Sequence, residues 1–372
     1  MSIPSVNTDI YITETDTRAI TPTHKHHNSS SPCIIQSNGE LDDISWWSSM
    51  PLRYWETQKH EINNNTIEAT QSFHLVLIRH AESTNNQLTD IMFDKLHITT
   101  QLHTNNNNNY NNEHKTNDDI NTLNHEDLMN QYNLKRSTDP DLSALGYQQS
   151  IQLIQHQLFH TINLNGLISQ NRIKFICSPM RRAMLTSVPL LKHYNITATV
   201  DVDYTERGGA FNTVYDNMTQ QYMNTAVAGR SRSEMEHEFS STHNCDAVPE
   251  TGWWTQHCTI TDDVEGDELF YIRLERIVKQ LKSTCKQYAI NYRQSIQNKS
   301  INIQPDFYFV MCHGDLIDEL LSRLLGCTAR RYVFYTSNTA AAHVELIYMG
   351  TVNGEDKIEA RIRGTNIQPN KI

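Results

Sequence analysis

The 372-residue sequence is short of apolar side chains, of paired cysteines, of positive charge and of glycine-rich phosphate loops. Each shortage excludes something. Apolar residues make up 38% of the chain, low for a folded protein of this length, so part of it is expected to lie outside any core. No run reaches the roughly 18 apolar residues that a membrane-spanning helix needs. Residues Met1 to Ile20 alternate polar and apolar positions and lack the apolar stretch of a secretion signal. The seven cysteines, at 33, 177, 245, 258, 285, 312 and 327, are odd in number and form no C-x-x-C pair. Free, buried thiols in a reducing, cytoplasmic setting are the expectation. Neither G-x-x-x-x-G-K-[ST] nor G-x-G-x-x-G occurs, which argues against nucleotide-triphosphate chemistry. Lys and Arg total 31 against 42 Asp and Glu, a net charge of -11. Such a chain binds neither nucleic acid nor a membrane surface through its overall field, and an anionic ligand has to be drawn in by a local basic pocket.

Two segments carry biased composition. Residues 1–70 are rich in Thr, Ser, Asn and His, with one aromatic cluster at Trp46, Trp47, Tyr54 and Trp55, and read as a weakly ordered extension. His24, His26 and His27 in this extension have no acid or Cys ligands nearby and read as a solvated tail. Residues from about 87 to 138 include Asn105 to Asn109 and Asn111-Asn112. Such a tract offers too little apolar surface to offset ordering entropy, so it reads as a long surface insertion in a folded unit spanning 71–372.

The remainder is regular. Phe73 to Ile78, Ile173 to Cys177 and Asp306 to Met311 are apolar runs of strand length, as expected for strands buried on both faces. Thr197 to Asp203 and Ala342 to Met349 complete the strand set. Helices are expected after Ser143, with Tyr147, Ile151, Ile154 and Leu158 as the apolar stripe, and after Ser178-Pro179, where Ser178 is the cap and Pro189 kinks or ends the helix. Two more are expected over Val264 to Tyr288, with Phe270, Leu274, Ile277, Leu281 and Cys285 on one face, and from a cap at Asp315 to Gly326. Strands alternating with helices predict an α/β fold with a mainly parallel sheet covered on both faces.

Four polar motifs fall just beyond predicted strands, where ligands bind in such sheets: Arg79-His80-Ala81-Glu82-Ser83, Ser178-Pro179-Met180-Arg181-Arg182, Thr205-Glu206-Arg207 and Cys312-His313-Gly314-Asp315. Two His, two or three Arg and one Glu on one edge suit phosphoryl transfer. Guanidinium forks grip the phosphate, a neutral imidazole attacks phosphorus, and a carboxylic acid protonates the leaving oxygen. Cys312 next to His313 is set aside as a catalytic dyad because neighbouring strand residues face opposite ways.

These motifs resemble those of the histidine phosphatase superfamily, the phosphoglycerate-mutase-like proteins. Arg79-His80-Ala81-Glu82-Ser83 with Asn86 is similar to R-H-G-E-[ST]-x-x-N, Leu142-Ser143-x-x-Gly146 to L-[ST]-x-x-G, Ser178-Pro179-x-x-Arg182-Ala183-x-x-Thr186 to S-P-x-x-R-A-x-x-T, and His313-Gly314 to the late H-G, over roughly residues 73–350. The resemblance implies a three-layer α/β/α sandwich, His80 as nucleophile, Glu206 as proton donor and His313 as a catalytic partner. It also implies Arg79 and Arg182 in the phosphate pocket, Ser83 and Asn86 as further phosphate contacts, and no metal or other cofactor. Arg182 rather than Arg181 fits the family spacing, leaving Arg181 exposed or in contact with substrate.

The chain departs from the family at Ala81, where Gly is usual, and after Glu206, where the H-Y-G-x-L-x-G stretch of the cofactor-dependent mutases is missing. A phosphatase acting on a small phosphorylated molecule or a phosphoprotein is therefore favoured over a 2,3-bisphosphoglycerate-dependent mutase or related phosphotransferase, and over a binding protein without turnover. Substrate choice is assigned to a second insertion, about 208–262. There Arg230 and Arg232 offer a second anion site or a solvated loop, and Trp253-Trp254 an apolar wall or core packing.

Overall fold

The computed structural model describes residues 72–92, 94, 125–219, 221–254, 264–298, 305–327 and 334–369. The 1–70 extension with its aromatic cluster and His patch, the Asn-rich tract, Cys33 and Cys258 lie outside the described residues. In chain order the elements are β1 (Ser72–Arg79), α1 (84–92), α2 (His125–Lys135), α3 (Ala144–Gln152), α4 (Gln157–Thr161), α5 (Leu164–Ser169), β2 (Ile173–Cys177), α6 (Arg181–Tyr194) and β3 (Ala198–Val200). There follow β4 (Phe211–Asp216), β5 (Gln221–Ala226), α7 (Arg232–Phe239), β6 (His243–Asn244), α8 (Asp267–Gln297), β7 (Phe307–Cys312), α9 (Gly314–Leu324), β8 (Ala341–Val352) and β9 (Glu355–Ile367).

Seven strands form one sheet in the order β6-β3-β2-β7-β1-β8-β9, and β4 and β5 form a separate hairpin. The pairs from β6 to β1 are parallel, and β8 runs antiparallel to both β1 and β9. Both faces are covered, as the alternation of side chains shows. Val76 and Ile78 of β1 and Phe307, Phe309 and Met311 of β7 pack with α4, α5 and α6. Phe73, Leu75 and Leu77 of β1 and Val310 and Cys312 of β7 pack with α8 and α9. The predicted three-layer α/β/α arrangement with a mainly parallel sheet is therefore present. The five apolar positions assigned to one face of α8 are all buried, and among the described residues Cys177, Cys245, Cys285 and Cys312 are buried free thiols. No helix of the described residues is long and apolar enough to cross a membrane.

Several local expectations are corrected. Tyr147 and Ile151 are exposed, and α3 instead buries Gly146 and Ser150. The reason is a close approach: a Cβ on Gly146 would stand 1.9 Å from the Glu82 carbonyl oxygen, so only glycine lets α3 lie on the loop after β1. Gly146→Ala is expected to cost about 1–3 kcal/mol through overpacking; an unchanged thermal midpoint would contradict this close approach.

The cap of α6 is Met180, not Ser178, and Asp139 Oδ1 accepts the Arg181 N–H at 2.8 Å in place of a side-chain cap. Pro189 lies inside α6, which continues to Tyr194. His313 rather than Asp315 is the residue before α9, because β7 runs straight into it. The 197–203 strand shrinks to β3, followed by a short 3-10 turn over Val202–Tyr204. The ends of the 87–138 insertion are helical, as α1 and α2, and the 208–262 segment holds a hairpin, α7 and β6.

Candidate active site

Strand register brings the two histidines together. Arg79 of β1 is opposite Cys312 of the parallel β7, so the next residues along, His80 and His313, leave the sheet side by side. Their rings meet edge-on with centroids 5.1 Å apart. On the other flank of β7, Cys177 is opposite Met311, which delivers Ser178 to His313. Ser178 Oγ accepts the Met180 N–H at 3.3 Å and lies 2.8 Å from His313 Nε2. His313 Nδ1 is a buried atom with no partner among the described residues, so this edge of the ring is unspent inside the pocket.

His80 is fixed just as closely. Its Nδ1 is 2.6 Å from the Ala81 carbonyl oxygen, an acceptor only, so Nδ1 carries the proton and Nε2 the lone pair. Arg182 Nε–H donates to that lone pair at 3.1 Å. Burial, then Arg182 and Arg79, hold the His80 pKa well below the usual histidine range; burial, then Arg182 and His80, do the same to His313. Both rings are neutral at pH 7.

The helix spacing in Arg182-Ala183-x-x-Thr186 has a direct purpose. Four residues apart on α6, Arg182 and Thr186 share a face. Thr186 Oγ1 accepts the Ala81 N–H at 2.9 Å and donates to the Arg182 carbonyl at 2.7 Å, tying the His80 loop to the helix that carries the guanidinium. Arg79 Nη1 donates to the Thr336 carbonyl at 2.7 Å, while its buried Nε has no hydrogen-bond partner among the described residues. A Cβ on Gly314 would come within 3.3 Å of that Nε, so the guanidinium rests on the first turn of α9.

Glu206 follows the 3-10 turn after β3. Its pKa is pushed up to about 7, first by burial and next by the nearby Asp315 carboxylate, against the pull of Arg182, the Arg207 N–H and Arg79. The loop bearing it is fastened by Arg273, which reaches in from α8. Arg273 pairs with Glu265 at 2.6 Å and donates to the carbonyls of Asp203 at 2.6 Å, Thr205 at 2.9 Å and Glu206 at 3.4 Å. Glu265 in turn accepts the Gly208 N–H at 3.2 Å.

The structure thus gathers Arg79, His80, Arg182 and His313 at one sheet edge, with Glu206 close enough to feel both arginines. Ser83 and Asn86 bond to each other at the loop: Ser83 Oγ and N–H donate to Asn86 Oδ1 at 2.9 and 3.1 Å, and Ser83 Oγ accepts the Asn86 N–H at 3.2 Å, closing the start of α1. Arg181 is neither exposed nor open, because Asp141 at 2.5 Å and Glu238 at 2.7 Å hold it. Arg230 and Arg232 are likewise paired, with Glu238 and Glu250. Trp253 and Trp254 are core residues; Trp254 fills the space over Gly209, whose φ of +64° and lack of Cβ permit the contact.

Sequence reading flagged Ser178 and Thr186 without their partners and missed two supports, Arg273 and Asn338, whose Nδ2 donates to the His80 carbonyl at 2.9 Å. Arg273 carried a signal, an arginine on the apolar face of a long amphipathic helix. Asn338 carried none. Among the described residues, no three His, Cys, Asp or Glu side chains converge as a metal-binding group.

No protein-family model and no curated protein matches the chain. Solved structures similar to it include a mycobacterial glucosyl-3-phosphoglycerate phosphatase complexed with VO3, 14% identical over 80% of this chain and 100% of that one, TM-score 0.37. Others are an alpha-ribazole phosphatase from Shigella flexneri (15%, 79% and 96%, TM-score 0.34) and a phosphoserine phosphatase from Entamoeba histolytica in complex with 3-phosphoglyceric acid (14%, 79% and 98%, TM-score 0.34). These are members of the histidine phosphatase superfamily, which the motifs resemble. At such TM-scores the likenesses carry no argument for this chain, and the functional reading rests on its residues.

Proposed function

We propose that the chain is a metal-independent phosphatase that hydrolyses phosphate monoesters through a phosphohistidine at His80. The observation that carries this reading is the state of His80: a buried, neutral ring whose proton is pinned on Nδ1 and whose Nε2 lone pair faces the Arg182 guanidinium. A phosphoryl group entering there takes over the Arg182 N–H groups and meets the lone pair. Nε2 attacks phosphorus, the ester P–O bond breaks, and Glu206 gives its proton to the leaving oxygen. Arg79, Arg182 and His313 hold the equatorial oxygens while charge moves. The Glu206 carboxylate then takes a proton from water, which attacks phosphorus and frees His80. The same reading takes the substrate to be a small phosphorylated molecule or a phosphoprotein, and the free thiols support a cytoplasmic enzyme. The mutase alternative is disfavoured by the missing H-Y-G-x-L-x-G stretch after Glu206.

The pH dependence follows from Glu206. Its protonated form is the acid, so with alkyl phosphates, whose leaving groups need a proton, kcat is expected to fall as pH rises through about 7. The histidines impose no loss on the acid side until well below their usual range. Phosphate release measured with EDTA present should show that alkaline limb in the wild type and lose it in Glu206→Gln, with aryl phosphates affected far less. The same limb in Glu206→Gln would remove Glu206 as the acid.

A further inference from the structure

Six arginines around the site each hold a carboxylate: Arg181, Arg207, Arg230, Arg232, Arg273 and Arg276. Three do not. Two of these are Arg79 and Arg182, the proposed phosphate grips, and the third is Arg136, immediately after α2. Its guanidinium carbon stacks 3.8 Å from the centre of the Phe211 ring, and Nη1 donates to the Phe211 carbonyl at 3.2 Å. The Phe211 ring in turn reaches within 3.4 Å of the place a Cβ would occupy on Gly208, two residues after Glu206. Arg136 therefore stands on the proton donor's side of the pocket, half-buried, with Tyr132 as its further polar neighbour. It is close enough to Arg182 for the two positive charges to repel. Asp139, the acid between these elements, binds the Arg181 N–H and faces Arg182, Arg181 and Arg230.

Glu206 and Asp139 offset the charge of Arg182, whereas Arg136, half-buried, stacked on a ring and repelled by Arg182, has no carboxylate of its own among the described residues, an arrangement an anion relieves. Stacking on a ring face leaves the edge donors of a guanidinium available. In the phosphatase reading one phosphoryl group lies at Arg79 and Arg182, which leaves the charge at Arg136 for another group on the same ligand.

We propose that Arg136 is a specificity residue that binds a second anionic group, a carboxylate or a second phosphate, on the phosphate monoester whose phosphoryl group lies at Arg79 and Arg182. This deepens the phosphatase reading and rests on it.

The test compares alkyl phosphates with and without the second charge: ethyl phosphate against phosphoglycolate, and propyl phosphate against propane-1,3-bisphosphate. Wild type should favour the doubly anionic member of each pair in kcat/KM. Arg136→Gln should lower kcat/KM for that member by about 10- to 100-fold, mainly through KM, as expected for loss of a charge-assisted hydrogen bond. It should leave ethyl and propyl phosphate within about twofold, and Arg136→Lys should recover part of the loss. Equal losses on both members of a pair, or a wild type without preference, would overturn the proposal. If wild type cleaves none of the esters, the phosphatase reading fails by itself. The anion preference is then read by calorimetry, as the ratio of Kd values for the same ligand pairs with Arg136 and with Gln at that position. An unchanged ratio overturns it there too.

Discussion

His80→Ala is expected to lower kcat for phosphate monoesters by at least about four orders of magnitude, as losses of covalent nucleophiles do. No neighbour can stand in for it. The His313 Nε2 is occupied by the Ser178 hydroxyl, and its ring meets His80 edge-on at 5.1 Å, so it does not offer a lone pair along the same line. The loop that carries His80 is held by its backbone, through the Ala81 N–H to Thr186 and the His80 carbonyl to Asn338, so the truncation removes the nucleophile and leaves the pocket standing. Phosphate release with EDTA present, alongside a thermal melt, checks both halves. A folded variant retaining a tenth of the activity would rule out covalent catalysis at this residue.

Arg273→Met is expected to destabilise the protein by about 3–5 kcal/mol, the cost of stranding one member of a buried ion pair. Both Arg273 and Glu265 side chains are 2% exposed, so solvent does not screen the charge left behind. The lost donors also leave the carbonyls of Asp203 and Thr205 without their partner from α8. Since these carbonyls belong to the loop carrying Glu206, the variant should also lose turnover of alkyl phosphates more than of aryl phosphates. Combining Arg273→Met with Glu265→Gln removes the stranded charge; stability should largely return and the leaving-group defect should persist. Denaturant midpoints for the single and double variants, paired with both substrate classes, decide this. A single variant within about 1 kcal/mol of wild type would mean that the pair does not fasten the loop.

What the sequence made legible was the part fixed by local pattern. The runs Phe73 to Ile78 and Asp306 to Met311 announced buried parallel strands, and the residues just past their ends, His80 and His313, became neighbours through strand register. The spacing from Arg182 to Thr186 is a helix turn, and a helix turn is what the structure uses to bind the His80 loop. What stayed hidden depends on partners far away in the chain. Ser178 looked like a cap, yet its hydroxyl is spent on His313, 135 positions later. Arg230 and Arg232 looked like an anion site until Glu238 and Glu250 were seen to neutralise them. Arg136 lay in a segment whose composition suggested a surface insertion, and only the packing of its guanidinium on Phe211 sets it apart. Tyr147 and Ile151 misled because α3 buries its glycine face, where backbone meets backbone.

The most direct test is rapid acid-free quenching of the enzyme during turnover of a phosphate ester labelled on the phosphoryl group, followed by peptide mapping. Label that survives alkali, is lost in acid and maps to Nε2 of His80 is the predicted result. Turnover with no labelled peptide, or with the label on another residue, would contradict it.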